Sequence, residues 1–213
     1  MELFISCFEI VGTIAFALSG AIIGLKKKMD IFGVCVLGIT TAVGGGIIRD
    51  IILGINPPAT FSNPIFVLMA TISSILVFVS FKKKLIWNKK VYEVTLFLAD
   101  SAGLGIFTVC GMNVAINAGF AENAFLVVFV GVVTGVGGGV LRDVFAGDRP
   151  YIFVKHIYAC AAIVGGVAAE LMWPVFGANV SMAVGFVVII VIRICSARFR
   201  WSLPNARNFE WPE

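Results

Sequence analysis

The stretch TAVGGGIIRDIILG, residues 41–54, decides how this chain is read, because it returns as TGVGGGVLRDVFAG at 134–147. The blocks are offset by 93 and share Thr, Val, three glycines, Arg, Asp and the closing Gly; Gly38 and Gly131 match as well, as do Pro57 and Pro150. A weaker correspondence at offset 91 aligns Glu9, Gly12, Phe16 and Gly20 with Asp100, Gly103, Phe107 and Gly111. The chain is a duplication.

Composition says what was duplicated. Of the 213 residues, 60% are apolar and 13% charged, with a mean hydropathy of +1.03. That is an integral membrane protein. A nucleic-acid-binding domain, a disulfide-stapled secreted module and a soluble enzyme are excluded, although the net charge is +4. Cys7, Cys35, Cys110, Cys160 and Cys195 stand singly in apolar runs, without metal-ligand spacing, and read as small hydrophobes. The opening MELFISCFEI lacks the basic flank of a secretory signal and reads as a retained membrane helix.

A crossing takes about 20 apolar residues. Seven segments satisfy this, near 3–24, 31–53, 63–81, 92–113, 124–146, 157–175 and 177–197. The expected fold class is therefore an all-α membrane protein with seven transmembrane helices. Repeat 1 spans about 3–81, repeat 2 about 92–175, and helix 7 stands outside the symmetry at about 177–197. Together they form a transmembrane domain over 1–200, followed by a cytoplasmic tail at 201–213.

Basic residues stay on the cytoplasmic side. With the N-terminus outside, Lys26, Lys27, Lys28, Lys82, Lys83, Lys84, Lys89, Lys90, Arg149, Lys155, Arg193, Arg198, Arg200 and Arg207 all fall inside, 14 of the 16 Lys and Arg. Trp87, Tyr92, Tyr151, Tyr158, Trp173 and Trp201 sit near segment ends, where amphipathic rings meet headgroups. Three spans per repeat place the two halves in opposite orientations, the inverted-repeat architecture.

The two basic residues left over, Arg49 and Arg142, lie inside spans 2 and 5, where a charge is costly and usually functional. Gly44, Gly45, Gly46 and Gly137, Gly138, Gly139 precede them. Each glycine in a helix interior costs about 1 kcal/mol relative to alanine, so three together predict broken helices 2 and 5, facing each other at the midplane. The other reading of such glycines is close helix packing. Arg49 and Asp50, or Arg142 and Asp143, project about 100° apart and make poor pairs with each other. Glu9 and Asp100 lie at matching depths, which predicts the symmetric pairs Glu9–Arg49 and Asp100–Arg142. These charges act either as clamps or as pore-lining electrostatics.

At these residues the sequence resembles the trimeric intracellular cation (TRIC) channels in their prokaryotic branch, over about residues 5–197. The resemblance implies a homotrimer with one pore per subunit, passing monovalent cations, potassium before sodium, with membrane lipids around it. It implies kinks at the six glycines and adjoining charged sites at Arg49, Asp50, Arg142 and Asp143. The lysine-rich motif of animal members is absent. Related bacterial sequences are also described as glycine transporters.

Two functions follow. In a cation channel, carbonyls and hydroxyls such as those of Thr40, Thr41 and Thr134 serve partly dehydrated ions. In a secondary transporter of a small zwitterion such as glycine, half-helix N-termini hold a carboxylate and Asp50 or Asp143 an ammonium. No catalytic constellation, metal cluster or cofactor-binding loop is present, and His156 is the single histidine, at a loop-to-helix boundary. The expected location is a prokaryotic plasma (inner) membrane.

Overall fold

The computed structural model describes residues 2–82, 88–154 and 157–201, which are helical with short connections and no strand among them. In hydrocarbon each backbone N–H and C=O must find its partner within the protein, and a helix does this segment by segment. Five helices make single crossings: α1 (Glu2–Lys26), α2 (Ile31–Ile52), α4 (Ile65–Lys82), α5 (Lys89–Ala115) and α6 (Ala124–Phe145). Two four-residue helices, α3 (Ala59–Ser62) and α7 (Tyr151–Val154), follow α2 and α6 at equivalent places in the repeats.

The last helix, α8 (Ala159–Phe199), has 41 residues, roughly 60 Å of helix, or twice the hydrocarbon thickness. It folds at Gly177, where φ is 70° and ψ 177°, three residues beyond Pro174. Gly165 faces Ile189, and Gly185 faces Ala169. Residues equidistant from Gly177 therefore meet, so the two arms, 159–176 and 178–199, run antiparallel. Seven spans result, as the hydropathy predicts.

Local chemistry sets the helix ends. Asp30, Asn88 and Asn123 each accept a backbone N–H from three residues on, at 2.8, 2.8 and 3.0 Å, capping α2, α5 and α6. At the other end of α2, Gly54 (φ 72°) donates to Ile51 while Ile55 donates to Asp50. Gly147 (φ 68°) and Asp148 repeat the pattern on Val144 and Asp143. This is the Schellman geometry, which needs a left-handed residue just past the helix. It explains the glycine closing both sequence blocks.

The triple glycines behave otherwise than expected. Both α2 and α6 are continuous helix through Gly44, Gly45, Gly46 and Gly137, Gly138, Gly139, with no non-helical residue inside. The glycines instead let two backbones touch. A Cβ on Gly45 would collide with the carbonyl oxygen of Thr134, and one on Gly138 with that of Thr41; one on Gly137 would lie 3.2 Å from the Gly45 Cα. Close approach of small residues is a main source of helix association in lipid, and it leaves every helical hydrogen bond intact, which a break would not.

The same symmetry runs outward. A Cβ on Gly20 would meet the Thr41 hydroxyl at 2.5 Å, and one on Gly111 the Thr134 hydroxyl at 2.5 Å. These hydroxyls donate back to Leu37 (2.6 Å) and Val130 (2.7 Å) four residues earlier and are buried. Thr41 and Thr134 therefore pack the crossing. Thr40 is only half-buried.

Candidate functional site

The site is built around Arg142, in the last turn of α6, whose side chain is wholly buried. A buried guanidinium is tolerable only when counter-charge and acceptors surround it. Its Nη1 lies 2.6 Å from Asp100 Oδ1 on α5 and also donates to Ser19 Oγ on α1. Its Nε donates to Asp143 Oδ1 at 2.9 Å, with Nη2 2.8 Å from the same oxygen. The Tyr151 ring lies 5.1 Å from the guanidinium carbon, within cation–π range. Asp143 uses its second oxygen to accept the Tyr151 N–H at 2.8 Å, which ties α7 back to α6. The expected Asp100–Arg142 pair is present, and it joins both repeats through Ser19.

At the corresponding site in α2, Arg49 Nε donates to Asp50 Oδ1 at 2.8 Å, and Nη2 lies at the same distance. Asp50 Oδ2 accepts the Ala59 N–H at 2.8 Å, as Asp143 does for Tyr151. Two expectations are corrected. The neighbours Arg49 and Asp50 do pair, as do Arg142 and Asp143, because the long Arg stem turns back over the helix end onto a carboxylate already held by the following loop. Glu9 makes no ion pair with Arg49 among the described residues, and it is half-buried. The remaining glycines differ between the sites. A Cβ on Gly44 would meet Leu141 at 2.5 Å and one on Gly139 the Tyr158 hydroxyl at 3.0 Å, whereas one on Gly46 would meet only the Arg49 guanidinium, at 3.7 Å.

A third arginine escapes the sequence reading. Arg193, expected on the basic interior side, lies within the second arm of α8, 6% exposed. Its Nη2 is 3.6 Å from Asp100 Oδ2 and its Nε donates to Ser101 Oγ at 3.2 Å. Its guanidinium carbon stands 4.8 Å from the Tyr158 ring and 5.1 Å from that of Phe97. A signal for it exists: in VVIIVIRICSA this lone Arg has apolar neighbours on both sides. Tyr158, expected at the headgroup level, is instead 3% exposed, with its hydroxyl 3.4 Å from Asp100 Oδ1. Trp87, Lys83, Lys84, Lys155, His156 and the tail at 202–213 lie outside the described residues.

A cavity of about 1340 Å³ leads to this layer. Its mouth lies among Lys26, Lys28, Lys82 and Asn88 at the helix ends, its walls include Phe78, Tyr92 and Phe97, and its floor is Asp100 and Arg193. From the start of α5 to Asp100 is 11 residues, about 16 Å of helix. Asp100 Oδ2 receives no hydrogen bond. Among the described residues no cluster of His, Cys, Asp and Glu suits a metal ion.

Seven spans, two interlocked inverted triplets and a charged layer beneath a deep cavity define the class: a multi-pass membrane protein built like a carrier or pore. Comparison with known proteins gives the family. A model described as glycine transporter matches residues 6–82 and again 97–174, one match per repeat. The UPF0126 membrane protein YvgT of Bacillus subtilis is 39% identical over 203 residues, 94% of this chain and 95% of its own. The inner membrane protein YadS of Escherichia coli K12 is 38% identical over 199 residues, 92% and 93% of the two chains. Among solved structures, a prokaryotic TRIC channel crystallised in 0.5 M KCl matches with a TM-score of 0.87 at 33% identity, over 95% of this chain and 100% of that one. The TRIC trimeric intracellular cation channel orthologue from Rhodobacter sphaeroides matches at 0.82 and 31%, over 92% and 98%. The chain belongs to the TRIC/UPF0126 family.

Proposed function

We propose that this protein is a cation channel, conducting monovalent cations with a preference for potassium through one pore in each subunit of a homotrimer. The observation that carries this reading is the deep cavity that reaches Asp100, one of whose carboxylate oxygens is buried without a hydrogen bond. An Asp100 oxygen so placed offers a cation a partial substitute for its hydration shell. The likeness to solved cation channels supports the same reading. Permeation then runs beside the packed α2–α6 pair, past the Arg142 layer, and not through a gap in either helix. Lys26, Lys28 and Lys82 gather at one mouth, which favours that end as cytoplasmic and an outside N-terminus in the plasma (inner) membrane. The domain limits, 1–200 with a tail at 201–213, belong to the same proposal.

The family model's description and the opposite charges of Asp100 and Arg193 on one cavity floor favour a second reading, a carrier for a zwitterion such as glycine. Planar-bilayer recording in potassium chloride separates the two. Unitary currents of fixed size, reduced in Asp100→Asn, are expected. Saturable glycine uptake into liposomes without unitary steps would replace the channel by the carrier.

A further inference from the structure

We propose that Arg193 is a tethered cation that closes the floor of the cavity by occupying Asp100, and that ions pass only when it swings off; this rests on the channel reading. The two oxygens of Asp100 are treated unequally. Oδ1 is held at 2.6 Å by Arg142, whereas Oδ2 has no hydrogen bond and faces Arg193 Nη2 at 3.6 Å. Arg142 is thus a fixed clamp, and Arg193 sits loosely over the oxygen that a permeating ion would use. Its charge is steadied meanwhile by two ring faces and the Ser101 hydroxyl, partners that a guanidinium can release and recover singly.

Space and symmetry agree with a mobile role. Arg193 itself lines the cavity, so open volume adjoins its side chain. It comes from the one span outside the duplication, so the Arg49 site has no equivalent. The latch is one-sided. Two positions of a side chain, one blocking and one clear, make a two-state element whose balance is set by the ring, hydroxyl and carboxylate interactions that opening breaks.

Single-channel recording of the full chain tests this. Arg193→Gln is expected to raise open probability roughly three- to tenfold at fixed voltage, and Ser101→Ala, which frees only the Nε hydrogen bond, to give a smaller rise. Arg193→Lys, which keeps the charge, is expected to stay nearer the parent than Arg193→Gln does. Unchanged open probability in Arg193→Gln, with currents present in the parent, overturns the latch alone. If Arg193→Gln fails to elute as folded protein, Ser101→Ala decides, and no change there overturns it. A parent without unitary currents removes the channel reading and the latch together.

Discussion

The Arg49 and Arg142 sites descend from one sequence block, yet one is nearly bare and the other crowded. Both arginines pair with the next aspartate, and both aspartates hold the first N–H of a short helix in the following loop. There the likeness stops. Arg142 also binds Asp100 and Ser19, whereas the corresponding positions around Arg49 are Glu9, which does not reach it, and Cys110, a poor acceptor. The α8 arm then adds Arg193 to one side only. The motif itself is a clamp for a helix end and its loop; what the site can do beyond that is supplied by α1, α5 and α8.

Removing each arginine in turn separates the two sites most strongly. Arg142→Ala takes the nearest cation from both Asp100 and Asp143 and is expected to cost about 3–5 kcal/mol, whereas Arg49→Ala takes it from one carboxylate and costs roughly 2–3 kcal/mol. Thermal unfolding in detergent checks the ranking, and equal losses would mean that the sites are energetically alike. Exchanging charges, Arg142→Asp with Asp100→Arg, is expected to recover part of the loss of Arg142→Asp alone, a coupling that a double-mutant cycle reads directly. No recovery would place Arg142's main partner elsewhere.

Substitutions at the glycines have smaller effects. Gly45→Ala and Gly138→Ala each drive a methyl into a facing carbonyl and are expected to cost about 1–3 kcal/mol each. Gly46→Ala meets only the end of the Arg49 side chain and is expected to be neutral, or to stabilise by up to about 1 kcal/mol through helix propensity. A destabilised Gly46→Ala would show that α2 needs freedom at that position. The smallest effect concerns the clasp between Lys27 and Asp148, 2.6 Å apart with side chains 31% and 40% exposed. Lys27→Ala is expected to cost under about 1 kcal/mol, fading with salt.

Hydropathy and the internal repeat make most of the architecture legible. All seven spans fall within a few residues of their expected limits, and the inverted symmetry follows from counting three spans between the Arg-Asp steps. Depth matching also finds the Asp100–Arg142 pair. It fails for Glu9 because depth along a helix says nothing about rotation around it. The glycine triplets mislead for a different reason: helix propensity measured in water charges each glycine its full cost, whereas a partner backbone at the crossing removes the solvent that makes a break attractive. Arg193 escapes because its proximity to a basic tail points to the cytoplasmic rim, although its apolar flanks on both sides indicate burial.

The joint at the pseudo-two-fold axis is made of peptide backbone on both sides, at Gly45, Gly137 and Gly138. Such a joint demands glycine at its centre and is indifferent to the charges at the helix ends. The acids, hydroxyls and thiols around each arginine lie away from that joint and can therefore differ between the two ends. A symmetric scaffold can in this way carry two unlike ends, which a vectorial device needs.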